Sequence, residues 1–223
     1  MTGMFRHWPT RLRSVVVLAA ALVMAGCAYI RDPEPPMTIE QVEELTPMAQ
    51  VPVARAWVNP PGSQLVFQRG LLGGSEQRVL LVNQSAMPGD NQMVIRTRTG
   101  FGDGGRLRYE EFIRRVGGLP APFQNASSGA FQHDADDLGP YAWAEERFGV
   151  GTICVLAVRR VQSAGRHLPA GVDAMDILLR NCVNGPAAKA LEPILAPSVS
   201  GGALGAPAGG SSRMLSALAG PSQ

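Results

Sequence analysis

The sequence predicts an α+β fold, in which a single domain carries an antiparallel sheet of about five strands covered by two or three helices. Three observations point there. Residues 151–161 and 172–183 are the most strand-like runs in the chain, and a loop containing Gly165, His167, Pro169 and Gly171 joins them. Residues 64–68, 78–83 and 92–99 are shorter runs of the same kind, separated by glycine- and proline-bearing turns. Residues 106–116 and 141–148 read as helices that glycines bring to a stop.

The chain opens on a basic leader with Arg6, Arg11 and Arg13 and no acidic residue, followed by an unbroken apolar run from Val15 to Ala25. Such a run is too short to cross roughly 30 Å of hydrocarbon as a helix. Its order is that of a secretory signal: positive start, apolar middle, small residues at a cleavage point. Ala25-Gly26-Cys27 resembles the end of a bacterial lipoprotein signal, with Met24 where that family prefers leucine. The resemblance implies a diacylglycerol on the Cys27 thiol, cleavage before it, and acylation of the new amino terminus by a fatty acid such as palmitate. Acyl chains worth about 0.8 kcal/mol per buried methylene would make that attachment effectively permanent. An ordinary secretory peptide cut near Ala28, or an uncut amphipathic helix, are the other readings of the same residues. The organisation expected is therefore a signal peptide over 1–26, a lipidated N-terminus and linker over 27–50, the folded domain over 51–196 and a disordered tail over 197–223. Ala28 is not the aspartate that retains many lipoproteins at the inner membrane, so the outer membrane, facing the periplasm, is the expected location.

With the leader removed the chain is close to neutral, and it carries neither a basic block nor aromatic–basic interleaving, so nucleic acid is not an expected partner. Asp32-Pro33-Glu34-Pro35-Pro36 reads as a spacer, and residues 38–45 as a short helix capped by Thr38. Asn59-Pro60-Pro61-Gly62 is a turn, and Met87-Pro88-Gly89-Asp90-Asn91 places proline before glycine as a type II turn requires. Residues 92–99 alternate Met93 and Ile95 with Gln92, Arg96 and Arg98, predicting a half-exposed strand. Gly100 to Gly105 predicts a flexible turn, and residues 120–137 a loop. On the second helix Tyr141 and Phe148 would share a face while Trp143 points elsewhere. Residues 172–183 alternate Met175, Ile177 and Leu179 with Asp176 and Arg180, which reads as a strand with one wetter face. A last helix is expected within residues 186–195.

Assigning Cys27 to lipid leaves Cys154 and Cys182. Folding 151–161 antiparallel onto 172–183 brings these two opposite or nearly opposite each other, within reach of disulfide geometry. A periplasmic compartment permits the bond.

Few residues promise chemistry. His133-Asp134-Ala135-Asp136-Asp137 holds ligand-type side chains but lacks the glycine-enforced turn of a calcium loop, so it reads as a solvated acidic loop preceding a helix. His167 has no metal-ligand or catalytic spacing around it and is expected to be exposed. Ser127-Ser128-Gly129 lacks the spacing of a nucleophile elbow. Glu110-Glu111 and Glu145-Glu146 would diverge by about 100° on helices and so do not converge as a hydrolytic pair. Gly100-Phe101-Gly102-Asp103-Gly104-Gly105 has no following Lys-Ser/Thr and is a weak phosphate loop. No catalytic residue, metal or cofactor is expected.

Four segments, Ala54-Arg55-Ala56 leading to Pro60-Pro61-Gly62, the Met87 to Asn91 turn, Thr152-Ile153-Cys154-Val155-Leu156-Ala157 and Asp176-Ile177-Leu178-Leu179-Arg180-Asn181-Cys182-Val183, resemble the cellulose biosynthesis protein BcsN family. Its members are bacterial lipoproteins encoded with cellulose synthase. The resemblance implies a non-enzymatic envelope lipoprotein, accessory to the biosynthesis or export of a cellulose-like exopolysaccharide and partnered by proteins of that machinery. Two other classes remain open from the residues alone. A periplasmic glycan or cell-wall hydrolase would need a cleft with two carboxylates. A glycan-binding module would need an exposed aromatic row that includes Trp143.

Overall fold

The computed structural model describes residues 36–99, 107–163 and 165–200. The leader, Cys27, residues 28–35, the glycine-rich turn at 100–105 and the tail beyond residue 200 lie outside them. A short helix α1 (Ile39–Leu45) leads into a sheet of eight strands. Four come first: β1 (Ala49–Val51), β2 (Ser63–Leu71), β3 (Gly74–Leu81) and β4 (Asn91–Arg98). Helix α2 (Tyr109–Arg115) then precedes β5 (Gln132–Asp136), β6 (Gly139–Phe148), β7 (Thr152–Gln162) and β8 (Ala174–Asn184). The described chain ends in α3 (Ala187–Leu191), a 3₁₀ turn (Glu192–Ile194) and α4 (Ala196–Ser200).

The sheet order is β1-β2-β3-β4-β8-β7-β6-β5, with every pairing antiparallel. It consists of two four-stranded meanders joined where β4 meets β8. The expected hairpin of β7 and β8 lies near the centre. Both strands are rich in β-branched and aliphatic residues and are buried on both faces, as interior strands require.

Alternation divides the sheet between two cores. Val155, Ala157 and Val161 of β7, with Met175, Ile177 and Leu179 of β8, pack against Trp57, Val58, Leu191, Ile194 and Val199. Leu156, Val158 and Leu178 face the other way, onto Phe112 of α2 and Phe123. Burying each of those phenylalanines is worth about 1.5–3 kcal/mol. Helix α2 carries Glu110 and Glu111 in its first turn and Arg114 and Arg115 in its last, which complements its dipole. It ends as the sequence predicts: Gly117 and Gly118 take φ of 92° and 97°, and their N–H groups donate to the Arg114 and Ile113 carbonyls. That is a Schellman stop, which a residue with a side chain would strain.

Cys154 and Cys182 are register partners and form a disulfide, with Cα atoms 3.9 Å apart. The backbone N–H and C=O of Cys182 point toward β4, where the ladder ends two residues short, at Gln92↔Arg180. The Asn91 side chain completes it. Its Oδ1 accepts from Cys182 N–H at 2.8 Å, and its Nδ2 donates to the Cys182 carbonyl at 2.9 Å. Asn91 is fully buried. Replacing it with alanine should strand a buried donor and acceptor, so Asn91→Ala is expected to cost about 2–4 kcal/mol in urea unfolding.

The structure corrects the sequence in several places. β4, expected to be half-exposed, is an interior strand buried along most of its length, Arg96 included. The sheet has eight strands rather than about five. Residues 141–148, expected as a helix, lie within β6. Ala142 and Ala144 sit on one face and Tyr141 and Trp143 on the other, so the alternation was hidden by alanines, which suit a helix too. Tyr141 and Trp143 therefore share a face, with ring centroids 5.6 Å apart, and Phe148 is the one that points away. Residues 132–136, expected within a loop, form edge strand β5 on β6. Asp176 and Arg180, expected on a wet face, are buried, because α2 and the segment after it cover that side. The folded unit also takes in α1 and β1, upstream of Val51, and runs through α4.

Candidate functional site

A cavity of about 830 Å³ opens between the start of α2 and the β5–β6–β7 end of the sheet. Its size falls in the range of small-molecule sites. Val158 and Ala142 form its floor, and Tyr109 and Phe131 form a wall, their rings edge to face at 5.0 Å. Hydrophobic spacing brings these residues together. Tyr109 opens α2, Phe131 directly precedes β5, and both pack against the core under α2.

Tyr109 is the unusual member. Its hydroxyl is buried and has no hydrogen-bond partner among the described residues. Burial, and secondarily the charge of Glu110, pushes its pKa above that of a free tyrosine. It therefore stays neutral at physiological pH, enclosed in the wall rather than open to the cavity.

One edge of the cavity is fixed by a buried clamp. Arg159, fully enclosed, donates to both carboxylate oxygens of Asp136 at 3.0 and 2.7 Å, to the Ile194 carbonyl at 2.7 Å and to that of Gly139 at 3.2 Å. Asp136 also accepts from the backbone N–H groups of Leu138 and Ala196. Burial would raise its carboxyl pKa. The Arg159 hydrogen bonds and the two amides outweigh that and hold it below the usual carboxylate range. The clamp ties the β5–β6 turn to the C-terminal turn, so one side of the cavity is held to the other core.

No family model, curated protein or solved structure matches this chain.

The acidic run His133 to Asp137 is largely solvated, as expected, but most of it belongs to edge strand β5 rather than a loop, and it leads into strand β6 rather than a helix. Asp134 accepts from the Tyr141 hydroxyl at 3.3 Å, Asp136 belongs to the clamp, and His133 and Asp137 line the cavity rim. His167 is exposed, as expected. Glu145 and Glu146 alternate across β6 rather than along a helix. Glu111, on α2, lies 3.5–3.9 Å from Arg98, Arg108 and Arg115. Trp143 is half-buried against the core and Tyr141 is buried, so these two do not form an exposed row. Trp57 is buried in the main core.

Sequence reasoning missed the arginines. Arg69, Arg96 and Arg180 are each at least nine-tenths buried, on the same face of the sheet. Glu76, at its centre, is 2.7–3.0 Å from Arg69, Arg78 and Arg96, and Arg96 reaches Glu43 of α1 at 2.8 Å. Asp176 holds Arg98 at 2.7 Å and Arg160 at 2.6 Å. The one available signal was the density of arginine on strands that are otherwise apolar. The buried carboxylates are thus bound to guanidinium groups, and for Glu76 the arginines outweigh the effect of burial and favour the ionised form. A hydrolase needs the reverse for its acid, a carboxyl that keeps its proton.

Proposed function

We propose that this protein is a non-enzymatic lipoprotein of the cell envelope, anchored through Cys27 and accessory to the synthesis or export of a cellulose-like exopolysaccharide. The observation that carries the reading is the Cys154–Cys182 disulfide between register partners in the middle of the sheet. A cross-link so placed belongs to a chain that folds in an oxidising compartment. The basic leader, the apolar run and Ala25-Gly26-Cys27 independently direct the chain to the same place. The role is positional: the lipid holds the folded unit at the membrane, on the reading that this is the outer membrane facing the periplasm, while its surface engages proteins of the polysaccharide machinery. The engagement of Glu76, Asp136 and Asp176 by arginines supports binding rather than hydrolysis.

The test has two parts. Growth with an alkyne-tagged palmitate should label the wild-type protein, and Cys27→Ser should abolish the label and release the protein from the membrane fraction. Deleting the gene should lower dye-stained polymer at least severalfold in a cellulose-making strain, with Cys27→Ser failing to restore it. An unlabelled wild-type protein would remove the anchor, and unchanged polymer would remove the accessory role.

A further inference from the structure

A second, smaller pocket of about 160 Å³ lies on the arginine-bearing face, under the stop of α2. Its size is close to that of a cavity able to admit one six-membered ring. Arg78, Gln92 and Arg180 lie on adjacent strands β3, β4 and β8 and step diagonally across them. Gln92 and Arg180 are register partners, and Arg78 is paired with Val94, two residues further along β4. Same-face neighbours on that diagonal fall within reach of one small ligand. Val94, Leu178 and Leu119 supply an apolar wall, and Gly117 and Gly118 the rim.

The donors here are only partly used. Arg78 gives its Nε–H to Glu76 at 2.8 Å, and among the described residues its two terminal nitrogens have no partner. The half-buried Gln92 amide has none either. Arg180 is 2 % exposed, and its contacts are all neutral oxygens: the Ala121, Pro88, Gly89 and Asp90 carbonyls and Asn91 Oδ1, at 2.6–3.2 Å. Among the described residues no carboxylate lies within ion-pair distance of it. The neighbouring network adds to this excess, since among the described residues the carboxylates paired with Arg69, Arg78 and Arg96 are those of Glu76 and Glu43. Positive charge in excess of its counter-charges, here Glu76 on Arg78 and the more distant Asp90 on Arg180, attracts an anion more strongly in a recess of low dielectric than it would in water.

We propose that this pocket binds a small oxyanion, a carboxylate or phosphate group on a body no larger than one sugar ring. Arg78 and Gln92 donate to its oxygens, Arg180 supplies charge from behind, and the body rests on Val94 and Leu178. The inference stands apart from the anchoring and accessory roles, because it uses only the folded unit.

The test is isothermal titration of the full-length protein in detergent, at fixed salt, with inorganic phosphate in one arm and glucuronate in the other. Saturable one-site binding of either probe is expected, and the tighter arm assigns the oxyanion. Arg78→Gln should weaken binding at least tenfold and Gln92→Met at least threefold, while the exposed Arg147→Gln stays within twofold of wild type. Gln92→Met conserves shape and leaves the Glu76 network intact, so it decides the matter even where Arg78→Gln perturbs folding. Absence of saturable binding in both arms, or wild-type affinity in Gln92→Met, overturns the proposal.

Discussion

Removing both halves of the disulfide, Cys154→Ala with Cys182→Ala, is expected to destabilise the protein by about 3–4 kcal/mol, the value the chain-entropy model gives for a loop of this length. The bond closes a segment with a sequence separation of 28 residues, the whole β7–β8 hairpin. For a chain of this size that corresponds to a fall in melting temperature of roughly 7–15 °C. Place matters as well as length. Both cysteines are fully buried, in the pairing that joins the two longest strands, and Asn91 fixes the Cys182 backbone from the other side. The hairpin therefore keeps its register in the variant, and the loss falls on the freedom of the unfolded chain. Urea unfolding should show a lower midpoint with a slope equal to or steeper than wild type, since the uncross-linked denatured chain exposes more surface. Wild-type protein with reductant in the denaturant should match the variant. A loss below about 1 kcal/mol would mean that the bond constrains little that the sheet does not already constrain.

The part of the fold that was legible in the sequence is the part set by local pattern. Val155, Leu156 and Val158 make β7 apolar on both sides, and Gly117-Gly118 stops α2. The cysteine pair follows from a single fold about the 165–171 loop. What escaped the sequence depends on partners far away along the chain. β6 is built from Ala, Glu and Arg, residues with good helix propensity, and becomes a strand because β7 offers it a full ladder from Tyr141↔Arg159 to Phe148↔Thr152. β5 has no apolar face of its own and exists only because β6 does. The candidate sites were hidden for the same reason. Arg180 and Asp136 look like solvated charges, and only the assembled sheet shows Arg180 wrapped in the turn at Pro88 to Asn91, and Asp136 closed over Arg159. Arginines on interior strands imply buried counter-charges somewhere, but a single sequence cannot tell which carboxylates they are.

Glu76 provides the sharpest test of that arginine face. Glu76→Gln should cost about 3–5 kcal/mol, the range for breaking a buried ion pair from one side, because among the described residues buried Arg69 then keeps no carboxylate partner and buried Arg96 keeps only Glu43. The pH dependence gives a second readout with a definite sign. Burial would raise the Glu76 pKa, but the hydrogen bond from Arg78, the charge of Arg96 and the bond from Arg69 outweigh it, so the folded value lies below the unfolded one. Between those two values the unfolded chain binds the proton and the folded chain does not, so stability rises with pH across the window. The contribution is complete above the unfolded value of about 4.3 and is lost as pH falls through the lower folded value. Asp136, also lowered, acts in the same direction. Wild type should therefore lose stability steeply below about pH 4, and Glu76→Gln, with one such group gone, should show a shallower slope from a lower plateau. Parallel curves for the two proteins would mean that the Glu76 charge is no better held in the fold than in the open chain. In that case the arginine face would owe its order to the packing of α1 and α2 rather than to ion pairing.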